Sequence, residues 1–150
     1  MIRRLPWLWV LGLPVVAYWL AYAVPPASWW LRAGPILAFD APSGANVVLE
    51  INREIRRPFN AEWRVLVRRH QSQLGWVVVC TASGGGNYRP DASLPVPLTL
   101  DWWTDGQCPY PPEGQIMVST IWRIHTGLPG VRQVVSESNV FTVAAIEGGE

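Results

Sequence analysis

The chain of 150 residues contains no lysine, because all twelve of its basic residues are arginine. This absence excludes Schiff-base catalysis and the ammonium group of a P-loop, since both need a lysine amine. The triplet Gly84-Gly85-Gly86 is followed by neither a lysine nor a helical pattern, so it is predicted to be a flexible loop. A formal net charge of +1 gives no strong electrostatic preference for any class of partner.

Histidine is almost as scarce as lysine. His70 falls at a probable turn and His125 at a strand end, and neither has a Cys, Asp or Glu at metal-ligand spacing. Asp101 and Asp105 flank Trp102-Trp103, and paired carboxylates of this kind can hydrolyse glycosides. Aspartates at strand ends and turns are far more common, however. The sequence therefore predicts no metal, no cofactor and no catalytic residue, and the protein is expected not to be an enzyme.

Cys80 and Cys108 are the only cysteines. In an exported domain, two cysteines are most simply one disulfide. Such a bridge would contribute about 3–4 kcal/mol by restricting the unfolded chain. Two unrelated free thiols are the alternative.

The N-terminal segment is the longest apolar stretch. No charged residue occurs from Leu5 to Val24, which follow Arg3 and Arg4. Twenty helical residues span roughly 30 Å, the thickness of the hydrocarbon core of a bilayer. Residues 1–24 are thus predicted to form a transmembrane helix that contacts the lipid bilayer through residues 5–24. The basic start is expected to stay in the cytoplasm, which places the remaining chain in the periplasm or outside the cell.

Two alternatives to a retained anchor stay open. Ala21-Tyr22-Ala23 has the small-x-small form of a signal-peptidase site, so cleavage after Ala23 would release a secreted protein. The segment can also be a buried helix of a soluble protein.

Beyond this segment the apolar residues repeat every second position, which predicts β-strands. Residues 25–44 are interpreted as a Pro/Trp-rich connector, 45–146 as one β-sandwich and 147–150 as a tail. Residues 63–67 and 76–80 are expected to form a hairpin, residues 82–95 a loop, and residues 98–103 a further strand. Residues 116–124 and 131–144 complete the predicted sheet, with a break near 136–139. The expected core tryptophans are Trp63, Trp76 and Trp122.

The order of these strands, ending in Gly114–Trp122 and Ser138–Val143, resembles that of an immunoglobulin or fibronectin-III domain. The resemblance covers roughly residues 45–145 and implies an all-β fold, an antiparallel Ig-like sandwich of six to seven strands. Cys108 falls in a loop, which departs from the immunoglobulin pattern. The whole chain also resembles small membrane proteins of phages and prophages from GC-rich bacteria, and this likeness implies an accessory role at the host envelope.

Two sets of residues are candidates for binding. Residues 53–69 carry a local charge of about +4, which predicts either a solvated face or a surface for lipid phosphate or an anionic envelope polymer. No nucleic acid is expected for an exported domain. Adjacent strand residues point to opposite faces, so one of Trp102 and Trp103 is expected to face outward. Trp103, with Tyr110 nearby, is the candidate contact for a sugar or a protein partner, and the alternative is that the loop 104–114 folds over it. The six basic candidates are Arg53, Arg56, Arg57, Arg64, Arg68 and Arg69.

The function expected from the sequence is non-enzymatic. A membrane-anchored, extracytoplasmic β-sandwich is predicted to present an interaction surface to an unknown protein or envelope polymer. A structural subunit of a virion or envelope assembly and a secreted binding protein are the alternatives.

Overall fold

The structure is a computed structural model that describes residues 6–23 and 25–145. Predictions for residues 1–5, Val24 and the tail 147–150 lie outside the described residues. The described chain begins with helix α1, Pro6–Ala23, and a 3-10 turn, Ala27–Trp29. The remaining elements are β1 (Leu31–Ala38), β2 (Ala41–Pro42), β3 (Val48–Ile55), β4 (Phe59–Gln71), β5 (Gly75–Tyr88), β6 (Leu98–Thr99), α2 (Leu100–Trp103), β7 (Gly114–His125), β8 (Arg132–Glu137) and β9 (Phe141–Ala144).

Helix α1 has 18 residues and contains Pro14 in its interior. It coincides with most of the apolar segment from Leu5 to Val24. Across the described residues, no helix has both the length and the apolar character that crossing a membrane requires.

The strands form two sheets, which confirms the all-β prediction for the domain. The smaller sheet has the order β1-β3-β6 and is antiparallel. The larger sheet has the order β2-β9-β7-β4-β5, with β8 also paired to β7. Among the strands of the described residues, the two-residue strand β2 is the one that runs parallel to its neighbour, β9. The sheets form a sandwich around a common core of buried side chains from β1, β3, β4, β7 and β9.

The predicted hairpin is present and is the longest pairing in the domain. Strand β4 pairs with β5 from Phe59↔Tyr88 to Gln71↔Gly75, with a register shift after Val67. Alternation on β4 buries Val65 and Val67 completely, as its period-two pattern predicts.

The predicted break near residues 136–139 is also present. Strand β8 ends at Glu137 and β9 begins at Phe141. Between them, Asn139 uses its side-chain amide to pair with the backbone of Ala38, accepting from its N–H at 2.8 Å and donating to its carbonyl at 2.9 Å. The break thus ties the larger sheet to strand β1 of the smaller one.

Three expectations are wrong in detail. The segment 25–44, interpreted as a connector, contains β1 and so belongs partly to the smaller sheet. The loop predicted from residue 82 is strand as far as Tyr88, because β5 continues through the three glycines opposite β4. Residues 100–103, predicted as strand, form the short helix α2.

The predicted core tryptophans differ in burial. Trp122 is buried and Trp63 packs partly buried against the core. Trp76 is exposed, because it lies on β5, an edge strand that pairs only with β4. There it contacts His70 edge to face, with 5.3 Å between ring centroids.

Candidate ligand-binding cavity

A cavity of about 430 Å³ opens between the two sheets near helix α2. Its size falls within the range of about 300–1,000 Å³ that is typical of small-molecule sites. Strands β3, β4, β5 and β7 supply its floor and sides, and α2 with the following loop supplies one wall. Its lining consists of aromatic rings, one cation, two carboxylates and small residues: Arg53, Trp63, Tyr88, Asp101, Trp102, Trp103, Asp105, Gly106, Thr120 and Trp122.

Three of the aromatic rings are fixed against one another. Trp122 meets Tyr88 edge to face at 5.2 Å between centroids and Trp103 at 6.1 Å. Trp103 also donates its indole N–H to the hydroxyl of Thr120 at 2.9 Å, in a buried hydrogen bond. On the far side, Phe59 stacks on Tyr88 at 5.4 Å. Interlocked rings of this kind keep their rotamers without a ligand, so the cavity is pre-formed.

Trp63 owes its place in the cavity to a glycine on the neighbouring strand. It lies directly opposite Gly84 in the β4–β5 ladder. A Cβ atom added at Gly84 would come closer to the Trp63 ring than atoms can pack. The indole therefore covers the bare backbone of Gly84, an arrangement known to rescue glycine within sheets.

The cation of the cavity is Arg53 of β3. Alternation along β3 turns Arg53 to the same inner side as Leu49 and Ile55, which are buried. Its guanidinium carbon lies 5.9 Å from the centroid of Tyr88, 6.0 Å from that of Trp103 and 5.9 Å from that of Trp122. Burial lowers the pKa of Arg53 from its ordinary value. A partly desolvated cation is thus surrounded by three ring systems.

Tyr88 completes this group with a hydroxyl. Burial raises the pKa of Tyr88, and this effect exceeds the opposing effects of a hydrogen bond with Trp63 and the charge of Arg53. The phenol therefore stays protonated through the neutral range and is available as a hydrogen-bond donor or acceptor.

The wall formed by α2 begins with a local cap. Thr99 accepts a hydrogen bond from the backbone N–H of Trp102 at 3.4 Å, as an N-cap residue does. The buried hydroxyl of Thr104 then donates to the carbonyl of Leu100 at 2.8 Å and accepts from the N–H of Cys108 at 3.1 Å. These bonds turn the chain at Thr99 and stop it from continuing as a strand.

The loop after α2 is fastened to the free edge of β5. A disulfide joins Cys80 of β5 to Cys108, as predicted. The side-chain amide of Gln107 accepts from the N–H of Ser83 at 3.2 Å and donates to its carbonyl at 2.9 Å. Between helix α2 and these anchors, Asp105 and Gly106 adopt left-handed backbone conformations with φ values of 52° and 72°. Asp105 is the only residue other than glycine with a positive φ among those described, and it lies on the cavity wall.

The arrangement suits recognition of a polar ring. Aromatic faces attract the C–H edges of a saturated ring, whereas carboxylates and a guanidinium hydrogen-bond its hydroxyls. Asp101 and Asp105 supply acceptors, and Arg53 supplies donors. Within residues 6–23 and 25–145, no three His, Cys, Asp or Glu residues are grouped as a metal site would require.

The structure divides the six arginine candidates among several environments. Arg53 enters the cavity, and Arg57 lies over Trp29 at 5.4 Å from its ring centroid. Arg56 pairs with Glu54 at 3.0 Å, and Arg68 pairs with Glu137 at 3.0 Å as well as with Ser119. Arg64 is exposed on β4, and the Arg69 side chain lies beside Gly114.

Of the two aromatic candidates, Trp103 lines the cavity but its side chain is buried. Its exposed fraction is 7%, compared with 52% for Trp102. The inference that one of the pair faces outward is right, but the outward residue is Trp102. Tyr110 is 59% exposed and lies outside the cavity lining.

Sequence reasoning misses three residues of the cavity region. It groups Arg53 with the surface arginines, although the position of Arg53 on the inner face of β3 follows from the Val47–Ile51 alternation. It places Tyr88 in a loop, and it finds no partner for Gly84 because Trp63 is 21 positions away in the sequence. Comparisons of the chain with family models, with curated proteins and with solved structures find no match.

Proposed function

We propose that the domain is a non-catalytic binding module that takes a saccharide ring in the cavity between its sheets. The observation that carries this proposal is the convergence of five aromatic residues with a guanidinium and two carboxylates on one pre-formed cavity. Trp102 is the exposed stacking platform, and Trp103 and Trp122 form the fixed floor. In this proposal, the cavity is the interaction surface expected from the sequence.

Export from the cytoplasm is part of the same proposal. The Cys80–Cys108 disulfide supports it, since disulfides persist in oxidising compartments. A saccharide of the cell envelope would meet the module there. Retention through residues 5–24 and release after Ala23 are the two delivery routes, and fractionation of a C-terminally tagged chain separates them by product length.

Binding to a saccharide panel, followed by calorimetry and intrinsic tryptophan fluorescence, tests the proposal. We expect at least one saccharide to bind, and we expect Trp102→Ala to weaken binding at least about tenfold, since exposed aromatic anchors dominate such contacts. Trp76→Ala is the matched control, because it removes another exposed indole that lies at the hairpin, away from the cavity.

Three results would contradict the proposal. Absence of binding across the panel removes the saccharide function, and equal losses in the two variants remove the cavity as its location. New reducing ends appearing during incubation would instead make Asp101 and Asp105 catalytic and overturn the non-catalytic assignment.

A further inference from the structure

Among the described residues, no carboxylate pairs with Arg53, although Arg53 is partly buried. The arginine ion pairs within 4.0 Å in this part of the chain are Arg56–Glu54, Arg68–Glu137 and Arg123–Glu62. Asp101 and Asp105 line the same cavity as Arg53 but neither reaches this distance from it. A counter-charge stabilises a cation that is partly removed from water, and within the described residues Arg53 has no such partner.

The aromatic rings around Arg53 compensate only part of this cost. Their faces attract the guanidinium through their quadrupoles but carry no net charge. The positive charge therefore remains available to a group within the cavity. A guanidinium matches a carboxylate best, because its fork donates two parallel hydrogen bonds to the two oxygens.

The two aspartates limit what else can bind. Asp101 and Asp105 place two negative groups on the wall formed by α2 and its loop. A ligand with several phosphates or sulfates would be repelled by them, whereas hydroxyl groups would donate to them. The cavity thus favours a ligand with one negative group directed at Arg53 and hydroxyls directed at the opposite wall.

From this arrangement we infer that the module selects acidic saccharides, in which one carboxylate per sugar ring pairs with Arg53. The inference rests on the proposed saccharide function and names its ligand class. The carboxylate of such a ligand supplies the counter-charge for Arg53, which no described residue of the chain supplies. The sugar ring lies against the tryptophans and its hydroxyls donate to the two aspartates.

Matched pairs of probes test this inference directly. Glucuronic acid, galacturonic acid and N-acetylmuramic acid are each compared with their methyl esters. We expect an acidic member to bind about tenfold more tightly than its neutral partner, as one charge-assisted hydrogen-bond pair provides. The preference should weaken at high salt and as the pH falls through the carboxyl pKa of about 3.5–4.

Variants of Arg53 identify the group responsible. Arg53→Gln should abolish the preference for the acid, so that the two members of a pair bind with similar affinity, and Arg53→Lys should restore part of the preference, since lysine keeps the charge but not the fork. Arg57→Gln is the control, because Arg57 is an exposed arginine over Trp29, outside the cavity. Near-ultraviolet circular dichroism checks that each variant keeps its tryptophan packing.

The outcomes separate the two levels of the proposal. Equal affinity for both members of every pair that binds would overturn the acidic selection and leave the saccharide function intact. A preference that survives in Arg53→Gln would overturn the role of Arg53. Failure of every member of every pair to bind, together with failure of the neutral panel, would overturn the saccharide function itself.

Discussion

At the scale of single residues, the ring of Trp63 leaves no room for a side chain at Gly84. A methyl group at Gly84 would have to displace the indole, since no space exists for both. Gly84→Ala should therefore destabilise the fold by about 1–3 kcal/mol, as overpacking does, and weaken ligand binding by moving Trp63. Chemical denaturation followed by tryptophan fluorescence measures the loss of stability, and calorimetry measures the loss of binding.

Gly86 provides the matched control for this change. It lies two residues further along the same strand, and a methyl group added there would meet no atom within 4 Å. Gly86→Ala should leave stability and binding nearly unchanged. Equal effects of the two substitutions would show that strand glycine in general, and not the Trp63 contact, sets the stability.

The raised pKa of Tyr88 makes the free energy of unfolding depend on pH in the alkaline range. Its pKa is raised above the ordinary value of 10.0 in the folded protein, chiefly by burial. Unfolded tyrosine loses its proton first, so the stabilising contribution is fully present below pH 10 and is lost as the pH rises through the folded pKa. Tyr88→Phe cannot titrate here, so its stability should fall less over this range. Denaturation midpoints measured on both sides of pH 10 compare the two proteins, and parallel curves would contradict the assignment.

At the scale of elements, the sequence predicts strands that are long and regular, but not where they stop. The alternation on β4 and β7 is sufficient to predict both strands, because one face of each strand packs on the core. Leu98–Trp103 alternates equally well, yet it turns into α2 at the Thr99 cap. That outcome depends on local hydrogen bonds of the Thr99 and Thr104 hydroxyls, which the alternation of apolar residues does not reveal.

The extension of β5 through Gly84-Gly85-Gly86 could not be predicted for a related reason. Glycine runs disfavour strands because they have high chain entropy and offer no side chain to pack. Trp63 on the paired strand supplies the missing packing surface. Knowledge of the β4–β5 register is needed before this compensation becomes visible, and the register follows from the fold.

Because a disulfide anchors the loop after α2, we expect ligand affinity to depend on whether that disulfide is intact. The Cys80–Cys108 bridge fixes this loop to β5 and so keeps Asp105 and Trp102 on the cavity wall. Cys80→Ser combined with Cys108→Ser should lower stability by about 3 kcal/mol and weaken ligand binding, since the wall then has fewer anchors. Calorimetry with and without reductant measures this loss.

The double variant also serves as the control for the reductant. Reduction should weaken binding by the unmodified protein and have no further effect on the double variant. Unchanged affinity after complete reduction would mean that the Gln107 amide and the α2 cap suffice to position the wall.

At the scale of the whole molecule, one buried arginine joins helix α1 to the sandwich. Arg132 of β8 donates to the carbonyl of Ala21 at 3.1 Å and to that of Pro25 at 2.8 Å. It also lies over Trp30 at 5.2 Å from the ring centroid, and its exposed fraction is 9%. A cation at the C-terminal end of a helix is favourable for the helix dipole. The helix is therefore docked at its C-terminal end and does not hang from a free connector.

The hydrogen bonds of Arg132 to helix α1 and Pro25 are expected to limit protease access to the segment around Ala23. Arg132 binds the carbonyl of Ala21, within the small-x-small site, and that of Pro25, two residues after it, so a protease that needs an extended substrate must first break these bonds. Arg132→Gln should raise the rate of limited proteolysis between residues 20 and 30, because a shorter neutral side chain cannot hold both carbonyls. Mass spectrometry of the fragments locates the cuts.

Arg123→Gln is the control, since Arg123 is exposed and pairs only weakly with Glu62 at 3.4 Å. Equal cleavage in both variants would show that the segment opens independently of Arg132, and the docking of α1 would then contribute nothing to its protection.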